Sequence, residues 1–150
     1  MKRKKAVLAV FVVVLLGAQA VPVHRTNPPV TGEIAAPPDV QALLERSCYD
    51  CHSNETAWPW YARVAPMSWL VTHDVKEARE HVNFSEWGDL DAGDRESALK
   101  EIAEEVEDGK MPLRLYVPLH PAARLTEAER AQLVAWSSAR ARKLGLPAER

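Results

Sequence analysis

Cys48-Tyr49-Asp50-Cys51-His52 decides how the rest of this chain reads. Two thiols three residues apart, followed at once by an imidazole, form the C-x-x-C-H attachment pattern of a covalent haem. At the end of a helix the two thiols can reach the two vinyl groups on one porphyrin edge, and the adjacent histidine serves the iron. Three other readings fit less well. A thioredoxin-like redox pair belongs at a strand-to-helix junction, and no strand pattern precedes Cys48. A zinc site needs a fourth ligand, and no second C-x-x-C or H-x3-5-H occurs. A disulfide across so tight a loop stabilises little.

An iron bound below by His52 takes a sixth ligand or keeps an open site. The candidates are Met67, Met111, His24, His73, His81 and His120. Met111 follows Gly109-Lys110 and precedes Pro112, so a helix end delivers it into a loop fixed by proline. A thioether there would raise the reduction potential, because soft sulfur favours ferrous iron. His73 is the main competitor, on the same side of its helix as Trp69 and Leu70. Trp58, Trp60, Trp69, Trp87 and Trp136 are five large flat side chains in a short sequence, suited to the walls of a porphyrin slot, with Trp136 assigned to ordinary core.

Working outward, the periodicity is helical. Val40, Leu43, Leu44, Ser47 and Cys48 recur at i, i+3, i+4, i+7 and i+8 behind a capping Asp39. A second helix is expected from Ser68, with Val71, Val75, Ala78 and Val82 on one stripe. A third begins near Asp94, buries Leu99, Ile102, Ala103 and Val106, and stops at Gly109. The fourth opens with the Thr126/Glu129 capping box, presents Leu133 and Trp136, and ends at Gly145. Glu101, Glu104, Glu105, Glu107 and Asp108 read as a solvated helix face, with a docking patch for a basic redox partner as the sharper alternative.

At the other end, Lys2, Arg3, Lys4 and Lys5 stand before residues 6–18, which hold no charge and no proline. That is the pattern of a secretory signal or a membrane anchor, and it places everything after Ala20 across the membrane. Ala18-Gln19-Ala20 offers a cleavage site. The strictly apolar run is about 20 Å long as a helix, against a bilayer core of about 30 Å, and continuation to Val23 brings it to about 27 Å. Cleavage and retention both stay open on these grounds. Residues 21–38 hold five of the 11 prolines and run either as a stiff spacer or as ordered coil around the domain. The expected organisation is 1–20 signal peptide or membrane anchor, 21–37 proline-rich linker and 38–146 haem-binding domain.

With 150 residues, 47% hydrophobic and 27% charged, the chain has an ordinary globular balance. Its net charge of −2 excludes nucleic acid as a main partner, since phosphate binding needs a clustered basic face. Two cysteines exclude a multi-disulfide scaffold.

Several strings then carry a resemblance: CYDCHSN at 48–54, WPWY at 58–61, Pro66-x-Ser68-Trp69-Leu70, His73-Asp74-Val75, Asn83-Phe84-Ser85 with Trp87, Gly109-Lys110-Met111-Pro112, and His120-Pro121. From about Asn27 to Trp136 the sequence resembles the bacterial haem-binding domain family, small single-haem proteins related to cytochrome c. Residues 126–136 also look like the final helix of small c-type cytochromes, which packs against the first. The resemblance implies one haem c per chain on Cys48 and Cys51, with His52 as proximal and Met111 as distal ligand. It implies an uncleaved anchor before the Asn27-Pro28-Pro29 stretch. One departure is Ala78, where a glycine is expected before Arg79.

The expectation is an all-α, cytochrome c-like domain preceded by a signal or anchor segment, located in the periplasm and tethered to the cytoplasmic membrane. It would carry out one-electron transfer between periplasmic or membrane redox proteins, without enzyme activity. The alternative is a haem-based sensor or small-ligand-binding protein with a displaceable distal ligand.

Overall fold

A computed structural model describes residues 2–145; the expected domain end at 146, and Met1 of the expected 1–20 segment, lie outside the described residues. The chain opens with α1 (Lys2–Ala18), which buries none of its residues and leaves Val7, Phe11, Val13 and Leu16 exposed. The anchor expectation fails here. No helix among the described residues is long and apolar enough to cross a membrane. Of the 17 residues of α1 the first four are Lys or Arg, which leaves an apolar length of about 20 Å against about 30 Å of hydrocarbon. The continuation to Val23 that an anchor needs is not helical. The chain turns at Gln19, whose Oε1 accepts the Ala65 N–H at 3.0 Å while its Nε2 donates to Leu15 O at 2.9 Å. The N-terminal anchor, the membrane contact through it and the tethered location that depended on it are corrected accordingly.

The proline-rich segment is coil packed against the rest of the fold. The N–H groups of Thr31 and Gly32 both donate to Ser85 O at 3.0 Å, and Ile34 N–H donates to Phe84 O at 3.0 Å. Ile34 drops into the core at 2% exposure. Asn27 Nδ2 donates to Thr56 O at 3.0 Å. Prolines lack the N–H donor, so at Pro29 the segment is fastened through its carbonyl, which accepts from Asn54 Nδ2 at 3.1 Å. At Gly32 the contact is so close that a Cβ would lie 2.8 Å from Gly88 Cα.

The expected helices form, with shifts at their starts. α2 (Pro38–Ser47) buries Val40, Leu43, Leu44 and Ser47 on the expected stripe. Its N-cap is Pro37, because a proline at the first helical position needs no capped N–H. Asp39 instead accepts from the Gln132 amide. The backbone breaks at Cys48 and resumes as the single turn α3 (Tyr49–His52). A 3-10 turn, Trp60–Arg63, precedes α4 (Met67–His81), which buries Ser68 and Val75. α5 (Ala92–Glu107) starts ahead of Asp94 because Asp91 caps it, accepting the Asp94 N–H at 2.8 Å. α6 (Glu127–Gly145) opens with the reciprocal capping box: Thr126 N–H donates to Glu129 Oε2 at 2.8 Å and Glu129 N–H to Thr126 Oγ1 at 3.3 Å.

α5 and α6 make the most extensive interhelical contact, and α6 also meets α2, where Arg46 pairs with Glu129 at 2.9 Å. Leu44, Leu99 and Leu133, one from each helix, are completely buried. Each contributes about 1.5–3 kcal/mol of transfer free energy. The all-α expectation holds: among the described residues the extended pairing is one isolated bridge, Gly32 to Glu86.

Candidate functional site

The break between α2 and α3 is what presents the cysteine-histidine stretch. Cys51 and His52 N–H both donate to Cys48 O, at 3.1 and 2.9 Å, so the five residues close into one turn. Phe84 holds that turn from behind: its N–H donates to His52 O at 2.7 Å, and its ring stacks on Tyr49 at 5.5 Å. The sequence after the turn is structural. Ser53 Oγ donates back to Tyr49 O at 2.7 Å. Asn54, 2% exposed, donates through Nδ2 to Pro29 O and Glu86 Oε1 and accepts from Asn83 Nδ2 at 2.9 Å. Arg79 donates to Ser53 O, Thr26 O and Thr56 Oγ1, which ties α4 to the turn and to the N-terminal coil.

His52 Nδ1 lies 3.0 Å from Ala78 O and 3.1 Å from Val82 O. Both partners are carbonyls, so Nδ1 carries the proton and Nε2 keeps the lone pair. Burial also lowers the His52 pKa, and the imidazole stays neutral. Ala78, where a glycine was expected, acts here through its backbone carbonyl. Burial, then the neighbouring Cys51, pushes the Cys48 thiol up to about 12; burial, then Asp50 and Asp74, raises Cys51 to about 11. A redox dithiol needs the opposite shift, toward a thiolate at neutral pH.

Met111 arrives by a helix-ending device. Gly109 adopts φ +67, its N–H donates to Val106 O at 3.2 Å, and Lys110 N–H donates to Glu105 O at 3.0 Å. These are the two bonds of a Schellman motif, and the glycine is there because other residues resist that conformation. Met111 N–H shares the same Glu105 carbonyl at 3.0 Å. Sequence and geometry meet here: the Gly-Lys-Met-Pro string is the end of α5 plus the residue it delivers.

Cys48, Cys51, His52 and Met111 all line one cavity of about 460 Å³. Its apolar wall includes Val82, Phe84, Ile102 and Val106. His73 and His81 also border it, both exposed, and His81 faces Glu101 at 3.5 Å. Met67 and His24 lie elsewhere and exposed, and His120 sits in the loop after Met111, stacked on Tyr116. The expectation of a tryptophan wall fails, since Trp58, Trp60, Trp69 and Trp87 do not border the cavity, while Trp136 packs against the core as expected. Trp87 is core at 4% exposure, Trp60 is 77% exposed, and the Trp58 indole N–H donates to Asn27 Oδ1. The aromatic wall consists of Phe84 and Tyr116. Of the acidic run, Glu101 and Glu105 border the cavity with Asp50, Asp74 and Glu77, and no lysine or arginine does so among the described residues.

Among the described residues no group of three or more His, Cys, Asp or Glu side chains converges as a metal-ion site. The donors instead fit a haem, which brings its own four nitrogens: two thiols at attachment spacing, an imidazole with a fixed lone pair, a thioether and an apolar wall. Residues 13–139 match the family model described as the haem-binding domain. The chain belongs to the haem-binding domain family. No curated protein and no solved structure matches it. In this haem-binding domain the family match covers every residue of the cavity, while only the end of α1 falls within it.

Proposed function

We propose that this haem-binding domain carries one haem c, held covalently through Cys48 and Cys51, and passes single electrons between redox proteins without catalysing a reaction. The observation that carries this reading is the cavity that Cys48, Cys51, His52 and Met111 share. When bound, the haem iron supplies one-electron chemistry by alternating between its ferric and ferrous states. His52 offers the Nε2 lone pair, fixed by two carbonyls on Nδ1. Met111 offers soft sulfur, which favours the ferrous state, while the carboxylates of Asp50, Asp74, Glu77, Glu101 and Glu105 favour the ferric one. Val82, Phe84, Ile102 and Val106 exclude water from the cavity wall.

A second reading, small-ligand sensing at a displaceable Met111, is favoured by one observation: residues 111–122 bury no side chain fully, so beyond the contact of Met111 itself with the core little packing holds that loop. Optical spectra of the haem-loaded parent and of Met111→Ala, reduced and then exposed to carbon monoxide, separate the two. Electron transfer predicts a low-spin parent that carbon monoxide barely perturbs, and a variant that binds it and has a lower reduction potential. Rapid binding by the parent would favour sensing, and a parent without a haem band would contradict both.

A further inference from the structure

The loop that carries Met111 is fastened to the cysteine-histidine turn by one strong polar contact. Tyr116 Oη donates to Asp50 Oδ2 at 2.5 Å. Asp50 is one of the two residues between the cysteines, and its other oxygen, Oδ1, accepts the Ala57 N–H at 3.0 Å. Both oxygens are therefore committed, one to each neighbouring loop. Tyr116 stacks on His120 at a ring separation of 3.8 Å, and its N–H donates to Leu113 O at 3.0 Å, which folds the loop back on itself. Packing supplies only part of the fastening: Met111 rests against the core and Tyr116 and Val117 are half-buried, but Leu113, Leu115 and Leu119 are 40%, 85% and 60% exposed. Among the described residues the one other long-range hydrogen bond of this loop is the contact between His120 Nε2 and Tyr61 Oη, at 3.3 Å.

We infer that Tyr116 is a positioning residue, whose hydrogen bond to Asp50 clasps the Met111 loop to the Cys48–His52 turn and keeps Met111 in the cavity. The inference rests on the reading of Met111 as an iron ligand. Asp50 thereby gains a role that haem attachment does not itself demand: it makes the segment holding the cofactor also hold the loop that closes over it. A hydrogen bond to a carboxylate is among the stronger ones, so its loss opens the loop roughly ten- to hundredfold more often.

The test uses the haem-loaded chain as parent, Tyr116→Phe, Asp50→Ala, the double variant and Met111→Ala. The readouts are the rate of carbon monoxide binding to the ferrous protein, the reduction potential, and far-UV circular dichroism as a check on the fold. A clasp predicts that Tyr116→Phe speeds carbon monoxide binding roughly ten- to hundredfold and lowers the potential in the direction of Met111→Ala, with the dichroism unchanged. The double variant then goes no further than Asp50→Ala alone, because the two residues form one interaction. Carbon monoxide binding within twofold of the parent in Tyr116→Phe, with Met111→Ala opened, overturns the clasp and leaves the ligand assignment standing. Equal binding by the parent and Met111→Ala overturns the ligand assignment, and the clasp with it.

Discussion

His52 Nδ1 donates to the carbonyl oxygen of Ala78, 3.0 Å away in the last turns of α4. Val82 O, just past the helix, lies 3.1 Å from the same nitrogen. The Ala78 carbonyl also accepts the Val82 N–H at 3.0 Å, and together with the Val82 carbonyl past the helix end it fixes the tautomer of His52. In the haem-loaded protein the Nδ1 proton is therefore expected as a slowly exchanging resonance with proximity contacts to residues 78 and 82. A rapidly exchanging proton, or contacts to other residues, would contradict the arrangement.

Gly32 and Gly88 pack backbone to backbone. A Cβ at position 32 would lie 2.8 Å from Gly88 Cα, and one at position 88 would lie 3.2 Å from Gly32 Cα. Gly32→Ala is expected to destabilise by about 1–3 kcal/mol, and Gly88→Ala by less, since its contact is looser. Urea denaturation of the two variants checks the order. Equal stability of parent and Gly32→Ala would mean that the coil over Phe84 and Ser85 yields readily.

Asn54 joins three segments of the chain through its buried amide. Asn54→Ala leaves the Asn83 amide and the Pro29 carbonyl without that partner, at a cost of about 1–3 kcal/mol. The loss should appear as a lower unfolding midpoint, with the haem spectrum of the remaining folded fraction unchanged. A changed spectrum with unchanged stability would reverse the assignment and place Asn54 in the site.

Glu129 has its pKa held below the usual carboxylate value by the Thr126 N–H, then by the Arg46 guanidinium. A depressed folded-state pKa contributes stability that is fully present above the unfolded value of about 4.3 and is lost as pH falls through the folded value. Glu129→Gln keeps a capping side chain but loses the charge. Its destabilisation should be measurable by thermal unfolding at pH 7 and fade toward pH 3. A difference that grows on acidification would contradict the sign.

The candidate site was legible where its donors are local. Cys48, Cys51 and His52 are adjacent in sequence, and Gly109 to Pro112 spells a helix end together with the residue it presents. The four domain helices followed from apolar spacing, with errors at their ends: Pro37 rather than Asp39 caps α2, α5 starts ahead of Asp94 behind Asp91, and Cys48 and Val82 fall just past the helices whose stripes were expected to include them. What stayed hidden depends on distant partners. Nothing near Asp50 signals Tyr116, 66 residues on, and nothing near Thr31 signals the Ser85 carbonyl. The tryptophans misled because size and flatness suit a core or a surface turn as well as a porphyrin wall. The anchor misled because hydropathy alone does not show that the helix ends at Ala18 and turns at Gln19.

The central claim is covalent attachment, and the intact mass of the denatured protein tests it most directly. The chain is expressed in a host that matures c-type haem, unfolded in acid and weighed, beside the Cys48→Ser/Cys51→Ser variant. The account predicts a parent heavier than its polypeptide by one haem and a variant at polypeptide mass. A parent that sheds its haem on unfolding and weighs only its polypeptide would contradict it.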